Sequence, residues 1–189
     1  KTIGLGVMYG MGYKKLAVDL DISPKEAKSM LNQFREKVPF MQGMLEAVMH
    51  RANKVGSIRT YLGRRCKFDL WEPNWFEMDP VTKQPVFHKA LTHTAAAIKW
   101  GGAIKRAGTY KALNRLIQGT AADQTKKAMV DVYEKTGVIP LIQVHDELNC
   151  SVKSDIMAKE IKDIMENCIK LEVPTKVEYK TKNNWGDAK

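Results

Sequence analysis

Two neighbouring carboxylates, Asp146 and Glu147, have the residue types and position of a metal site. They follow His145 and lie between two strand-like runs, residues 141–144 and 148–152. Mg²⁺ prefers hard oxygen ligands, commonly one or two carboxylates completed by substrate phosphates. An ordinary polar turn fits the same spacing, because aspartate is common in turns. The spacing alone leaves both interpretations open.

The first residues could form a nucleotide site. Lys1, Leu5 and Tyr9 are spaced by four residues, so on a helix they share one face. That face offers a cation for phosphates and an aliphatic and an aromatic surface for a base. Gly4 and Gly6 would let a flat ligand approach the backbone closely. A glycine-rich helix end with no ligand explains the same residues.

Two further pairs are suited to nucleic acid. Asn114 and Gln118 lie one helical turn apart, and both are amides that can hydrogen-bond base edges in a minor groove. Arg64 and Arg65 follow Gly63 at a turn and could bind phosphates. A polar helix face and a solvated arginine pair are the ordinary alternatives.

The elements that position these residues indicate an α+β chain. Ser23 is a helix N-cap, Pro24 suits the first helical position, and Glu26 completes a capping box. That helix should end near Val38, because the residue before Pro39 leaves the helical region. The pattern predicts helices at about 40–54, 111–135 and 155–171, strands at 58–62, 141–144, 148–152 and 174–179, and a long irregular region at 63–107.

The net charge of +10 is concentrated in one part of the 189-residue chain. Residues 1–117 contain 20 Lys and Arg against 9 Asp and Glu, whereas residues 118–189 contain 11 against 12. Such a basic surface suits a polyanion such as nucleic acid, although a basic face that only confers solubility remains open.

The cysteines and the apolar runs exclude several classes of protein. The three cysteines, Cys66, Cys150 and Cys168, form no C-x-x-C pair, which argues against disulfide scaffolds and zinc fingers and favours a reducing compartment. No apolar run approaches the roughly 20 residues of a membrane helix, and no signal peptide is expected. Because the sequence begins at Lys1 rather than at a methionine, we expect a piece of a longer polypeptide.

Four features occur in an order that resembles the family A (Pol I-like) DNA polymerases. They are the sequence KTIGLGVMYG at residues 1–10, Gly63-Arg64-Arg65, the segment 114–123, and Gln143-Val144-His145-Asp146-Glu147. The resemblance spans essentially the whole chain, and residues 110–114 are similar to phage members. It implies a helical fingers portion at 1–60, a connecting or insertion region at 61–109, and a palm portion with a small antiparallel sheet at 110–189.

The resemblance also implies a role for each candidate residue. Lys1 contacts the triphosphate and acts as general acid on the departing pyrophosphate, Asp146 is a catalytic metal ligand, and Glu147 assists it. The implied nucleotide-binding set is Lys1, Thr2, Leu5, Gly6 and Tyr9. The implied DNA-binding set is Arg64, Arg65, Asn114, Gln118 and His145.

The implied chemistry is two-metal phosphoryl transfer with two Mg²⁺ ions, in which a primer 3′-hydroxyl attacks the α-phosphate of a dNTP. The implied partners are primer–template DNA, dNTP and the upstream remainder of the polymerase, with no membrane partner, in the cytoplasm of a bacterium or phage-infected cell. The family's other catalytic aspartate falls before Lys1, so we expect little or no synthesis by these residues alone. Leu5 replaces the usual Phe or Tyr, which we expect to alter sugar discrimination.

Two alternatives remain at this point. A fragment of a single-subunit phage RNA polymerase would have a similar nucleotide helix, although Glu147 after His145-Asp146 favours the DNA enzymes. A non-catalytic DNA-binding remnant of a polymerase would keep the basic surface and bind DNA without any need for Asp146.

Overall fold

A computed structural model describes Gly6 and residues 11–188. Long helices and small antiparallel sheets make up these residues, which confirms the α+β class. The chain divides into two compact units, Lys1–Ile117 and Gln118–Lys189. The three-part division at residues 60 and 109 stays a prediction.

Three helices open the described part of the first unit: α1 (Tyr13–Leu20), α2 (Pro24–Lys37) and α3 (Pro39–Val55). The predicted start of α2 is confirmed, because the Ser23 hydroxyl accepts from the Glu26 amide at 3.2 Å and the Glu26 carboxylate accepts from the Ser23 amide at 3.0 Å. A small core joins α1 to α2, and its buried members are Leu16, Ala17, Ala27 and Leu31.

A short hairpin follows α3 and carries the arginine pair. Strand β1 (Ser57–Arg59) pairs antiparallel with β2 (Arg65–Lys67). The predicted strand at 58–62 is wrong beyond Arg59, because Thr60 opens a turn in which its amide donates to the Arg64 carbonyl at 2.9 Å. The apolar side packs into a core of Ala52, Ile58, Phe68 and Ala112.

The prediction of a long irregular region at residues 63–107 is wrong at both ends of that region, although residues 74–92 contain no helix or strand beyond isolated bridges. Besides β2, that region contains β3 (Trp71–Pro73), α4 (His93–Trp100) and β4 (Ile104–Arg106), and β3 pairs antiparallel with β4. Proline and aromatic residues suggested irregular structure, but the elements are held by contacts between residues distant in sequence.

Arg106 supplies the most extensive of these long-range contacts. Its Nε donates to the Asn53 carbonyl at 3.0 Å and its Nη1 to the Phe68 carbonyl at 2.8 Å. Its guanidinium also lies 4.7 Å from the centre of the Trp71 ring. Three separate segments of the first unit therefore meet at one side chain.

The second unit is a helix–hairpin–helix arrangement. A 3₁₀ turn (Thr109–Lys111) leads into α5 (Ala112–Thr136), whose residues from Gln118 onward belong to this unit. Strands β5 (Pro140–Val144) and β6 (Glu147–Cys150) pair antiparallel, and α6 (Asp155–Asn167) follows them. Val132 on α5 packs with Ile161 and Ile164 on α6 to form the buried core.

The end of the chain departs from two predictions. Helix α6 ends at Asn167 rather than at residue 171, and residues 174–179 form no strand within the described chain. Side chains hold this segment instead: Gln124 donates to the Thr175 hydroxyl at 3.0 Å, and Glu166 accepts from the Val177 amide at 2.9 Å. A 3₁₀ turn (Trp185–Ala188) follows. None of the described helices has the length and apolarity needed to cross a membrane.

Candidate functional site

The predicted metal residues lie at the tip of the β5–β6 hairpin. Val144 pairs with Glu147 in the strand register, so His145 and Asp146 alone form the turn between them. The tight connection places His145, Asp146 and Glu147 side by side, and all three are exposed. Glu147 is the first residue of β6 rather than part of the turn.

The backbone at this turn is unusual. His145 has a φ of 53°, a left-handed conformation that few non-glycine residues adopt. The Gln143 side-chain amide donates to the His145 carbonyl, which braces the turn from the preceding strand. Strained residues of this kind cluster at functional sites, where the surrounding structure holds them.

The two carboxylates differ in their surroundings. Asn149 donates to Glu147 Oε1 at 3.2 Å, which fixes that carboxylate against β6. In the part of the chain that the structure describes, the Asp146 carboxylate makes no hydrogen bond or ion pair. Asp146 is therefore an exposed carboxylate at the tip of a hairpin braced by Gln143, a position suited to a cation ligand.

The carboxylates suit a divalent cation but do not complete its site. Among the described residues, no group of three His, Cys, Asp or Glu side chains is arranged to hold a metal. Mg²⁺ is commonly held by one or two carboxylates together with water and substrate phosphates. Asp146 and Glu147 therefore fit part of a coordination sphere whose other oxygens come from outside the described residues.

The predicted arginine pair lies on the β1–β2 hairpin of the first unit. Arg65 is paired directly with Arg59, and both side chains are exposed. Arg59 donates to the Gly63 carbonyl at 2.9 Å, and the Arg64 amide donates to the Thr60 hydroxyl at 3.0 Å. The hairpin thus carries three exposed arginines, a residue type suited to binding phosphates.

Sequence reasoning missed Arg59 as a member of this basic cluster. The signal was available, because Ile58 and Cys66 are apolar residues with polar neighbours, the pattern of two short strands packing one face inward. Pairing those two positions puts Arg59 opposite Arg65.

The first turns of α5 carry the two predicted amides. Asn114 Oδ1 is buried and has no hydrogen-bond partner among the described residues, and Gln118, one turn later, is exposed. Between them Arg115 donates to the Lys67 carbonyl at 3.2 Å and lies 4.7 Å from the Phe68 ring centre. Arg115 thereby connects the start of α5 to the β1–β2 hairpin, residues 57–67 of the first unit, which we name the arginine hairpin.

Most of the predicted nucleotide-binding residues lie outside the described residues, namely Lys1, Thr2, Leu5 and Tyr9. Gly6 is described and is buried, and its carbonyl accepts from the Met11 amide at 2.7 Å. A Cβ at Gly6 would lie 2.8 Å from the Met11 sulfur, so a side chain there would have to displace Met11.

The candidate residues thus form two local groups, one in each unit. The first unit holds Arg64, Arg65 and Asn114, and the second holds Gln118 and the turn residues 145–147. An α+β chain with a strongly basic unit and a carboxylate-bearing hairpin in a neutral-to-acidic unit is consistent with a nucleic-acid-processing enzyme.

Comparison with known proteins identifies the class. The family model described as DNA polymerase family A matches residues 1–187. The chain therefore belongs to DNA polymerase family A.

Individual relatives agree with this assignment. The DNA-directed DNA polymerase of Pseudomonas phage M6 is 38% identical over 161 residues, which are 85% of this chain and 20% of that protein. The thermostable DNA polymerase I of Thermus filiformis is 30% identical over 196 residues, covering 100% of this chain and 20% of the relative. The chain thus spans about a fifth of the length of these relatives.

A solved structure has the same fold. The POL domain of Pol1 from M. smegmatis, in complex with DNA primer–template and dNTP, matches with a TM-score of 0.66 and 28% identity. The match covers 92% of this chain and 27% of that one.

Proposed function

We propose that the chain is part of a DNA polymerase that adds dNTPs to a primer 3′-hydroxyl under the direction of a template. Membership of family A supports the reaction class, and the M. smegmatis relative in complex with primer–template and dNTP supports the ligands. The observation that carries the proposal for this chain is the Asp146 carboxylate, exposed on a braced two-residue turn beside Glu147.

In this proposal the residues of the second unit act at the reacting end of the primer. Asp146 and Glu147 hold a divalent ion, which we take to be Mg²⁺. Family A polymerases generally use divalent metal ions. When bound, the ion stabilises charge on the attacking and leaving oxygens. His145, held by Gln143, lies beside the primer terminus.

The first unit binds the DNA backbone and helps to bind the incoming nucleotide. Arg59, Arg64 and Arg65 contact phosphates of the primer–template, while Asn114, together with Gln118 of the second unit, reads the minor groove near the primer end. Lys1, with Thr2, Leu5, Gly6 and Tyr9, binds the dNTP, and Lys1 donates a proton to the departing pyrophosphate. The bond that forms joins the primer 3′-oxygen to the α-phosphorus, and the bond that breaks releases pyrophosphate.

Primer extension with Mg²⁺ and dNTPs tests this function. The reactions compare the chain alone, the chain with a separately expressed upstream portion of its parent protein, and that mixture with Asp146→Ala. Asp163→Ala is the matched control, because it removes another exposed carboxylate from the same unit. We expect synthesis only in the mixture that retains Asp146, whereas synthesis by the chain alone would disprove the need for an upstream carboxylate.

A second candidate is a DNA-binding remnant without catalysis. The lack of a third metal-binding side chain among the described residues favours it. This candidate predicts salt-sensitive DNA binding that survives Asp146→Ala, with no synthesis in any mixture. If a mixture is active, competition between dNTP and NTP distinguishes the DNA polymerase from a fragment of a single-subunit RNA polymerase.

A further inference from the structure

Residues 75–88 form a second hairpin in the first unit, which we name the aromatic hairpin. Met78 and Pro85 form an antiparallel bridge, and the Val86 amide donates to the Glu77 carbonyl at 2.9 Å. The sequence-based roles assigned above to the fingers, palm and metal residues make no use of this segment.

The aromatic hairpin exposes two phenyl rings. Phe76 is 73% exposed and Phe87 is 90% exposed. The Met78–Pro85 bridge and the bond from the Val86 amide to the Glu77 carbonyl set an antiparallel register. Continued by one residue pair, that register places Phe76 opposite Phe87, and side chains opposite each other in such a register share one face. Two large apolar rings at this exposure are unfavourable in water unless a ligand covers them.

The hairpin is braced at both ends. At its tip, Asp79 Oδ1 accepts from the Val81 amide at 2.9 Å and from the Thr82 amide at 2.7 Å. At its base, His88 Nε2 lies 2.9 Å from Glu77 Oε2. The rings are therefore presented by a fixed support, which lowers the entropy cost of binding.

The charges of the hairpin leave cations available to a partner. Both acidic side chains are engaged internally, Glu77 with His88 and Asp79 with its own turn. Lys83 in the turn and Lys89 after the hairpin are exposed and make no ion pair in the part of the chain that the structure describes. Aromatic rings beside uncompensated lysines suit an unpaired nucleic-acid strand, whose bases stack and whose phosphates are anionic.

We propose that the aromatic hairpin binds single-stranded DNA by stacking bases on Phe76 and Phe87, with Lys83 and Lys89 near the phosphates. The proposal deepens the proposed function and rests on it for the choice of DNA. A protein partner fits less well, because specific protein interfaces use roughly 20–30 residues a side and this face offers four apolar side chains.

The unpaired strand has two sources during synthesis, the template ahead of the primer and a strand displaced from the template. Both offer the same chemistry to the rings, and the strand labels of the crosslinking experiment below distinguish them.

Fluorescence anisotropy with a labelled oligothymidylate of about 20 nucleotides, at one fixed salt concentration, tests the stacking. The variant Phe76→Leu/Phe87→Leu keeps apolar volume but loses both rings, and Phe76→Tyr/Phe87→Tyr keeps them. Val81→Ser is the matched control, since Val81 is an apolar residue of the same hairpin with 86% exposure and no ring.

We expect the leucine variant to bind about tenfold more weakly or worse, and the tyrosine and Val81→Ser variants to bind within about twofold of the parent. Unchanged binding by the leucine variant would overturn the proposal. Loss of binding on Phe76→Ser/Phe87→Ser but not on the leucine change would also overturn it, since it would indicate a simple apolar contact such as a protein partner.

Crosslinking gives a second measurement that does not depend on a destabilised variant. A p-benzoylphenylalanine at position 87 should crosslink either to the template overhang or to a displaced strand, each labelled separately. Crosslinking to neither strand would refute the proposal. If binding depends on the rings but the reconstituted mixture does not polymerise, only the proposed function is contradicted. If the mixture synthesises DNA but the leucine variant binds as well as the parent, only the proposal for the aromatic hairpin is contradicted.

Discussion

Replacing Arg106 by alanine should strongly destabilise the first unit. The side chain joins β4 to the carbonyls of Asn53 and Phe68 and covers the Trp71 ring. These two carbonyls lie 53 and 38 residues before Arg106 in the sequence, so the loss of its side chain removes contacts between distant segments.

The magnitude follows from the contacts. A hydrogen bond involving a charged group contributes about 1.5–3 kcal/mol, and a partly exposed bond such as that to Asn53 contributes closer to 1 kcal/mol. The cation–π contact with Trp71 adds about 0.5–1 kcal/mol. We therefore expect Arg106→Ala to lower the free energy of unfolding by about 3 kcal/mol. Arg106→Lys should lose somewhat less because it keeps the cation, but it should still lose stability because an ammonium cannot span both carbonyls.

Urea unfolding followed by tryptophan fluorescence measures this loss, since three of the four tryptophans, Trp71, Trp75 and Trp100, lie in the first unit. Lys105→Ala is the control on the same strand: its ion pair with Glu72 is long, at 3.8 Å, and exposed, and should contribute less than about 1 kcal/mol. Equal losses for Arg106→Ala and Lys105→Ala would refute the reasoning.

Gly56 provides an independent check of the same contact. Its φ is +71°, and a Cβ there would lie 2.7 Å from the Arg106 guanidinium carbon. Gly56→Ala should therefore combine a backbone cost of about 1–2 kcal/mol with a clash. In the Arg106→Ala background only the backbone cost should remain, so a strictly additive double-mutant cycle would contradict this geometry.

Three further predictions concern other parts of the chain. Ser23→Ala should destabilise α2 by about 1 kcal/mol, while Ser29→Ala within the same helix should have little effect, as measured by urea unfolding. The hydrogen bond from the Val177 amide is the main cause that lowers the pKa of Glu166 below its ordinary 4.5, and Lys162 lowers it further. The stability that the ionised Glu166 contributes is therefore present above pH 4.5 and is lost as the pH falls through the lowered pKa. Hydrogen exchange should show protection of Val177 falling in acid, and Glu166→Ala should remove it at neutral pH; protection independent of both changes would exclude the tether. Burial raises the pKa of Cys150 and of Cys168 above 9.0, so thiol labelling of both near neutral pH should be slow until the second unit unfolds.

Sequence alone predicted the structure best where the determinants are local. The start of α2 is specified by Ser23, Pro24 and Glu26 within four residues, and it is found where expected. The β5–β6 hairpin, with the predicted metal-binding residues Asp146 and Glu147 at its tip, was likewise predictable from the sequence, because the turn residues interrupt two apolar runs.

The failures occur where distant residues decide the structure. Nothing near Trp71 reveals that it pairs with Arg106, so the elements within residues 63–107 were missed. Residues 174–179 have the composition of a strand, but among the described residues they are held by side chains: Gln124 donates to the Thr175 hydroxyl, and Glu166 accepts from the Val177 backbone amide. The roles assigned to Lys1, Asp146 and the other site residues stay predictions.

Arg59 and Arg65, which face each other across the strand pair, should make salt act in opposite directions on the stability of this hairpin and on its proposed binding of DNA. Like charges directly across a strand pair repel, so the arginine hairpin is less stable in dilute buffer and gains stability as added ions screen the repulsion. In the proposed function this hairpin binds DNA phosphates, and there the same ions would compete with the phosphates and weaken binding. Bound DNA phosphates should therefore screen the same repulsion locally. We expect DNA to stabilise this hairpin most at low ionic strength, where the hairpin of the free protein is least stable.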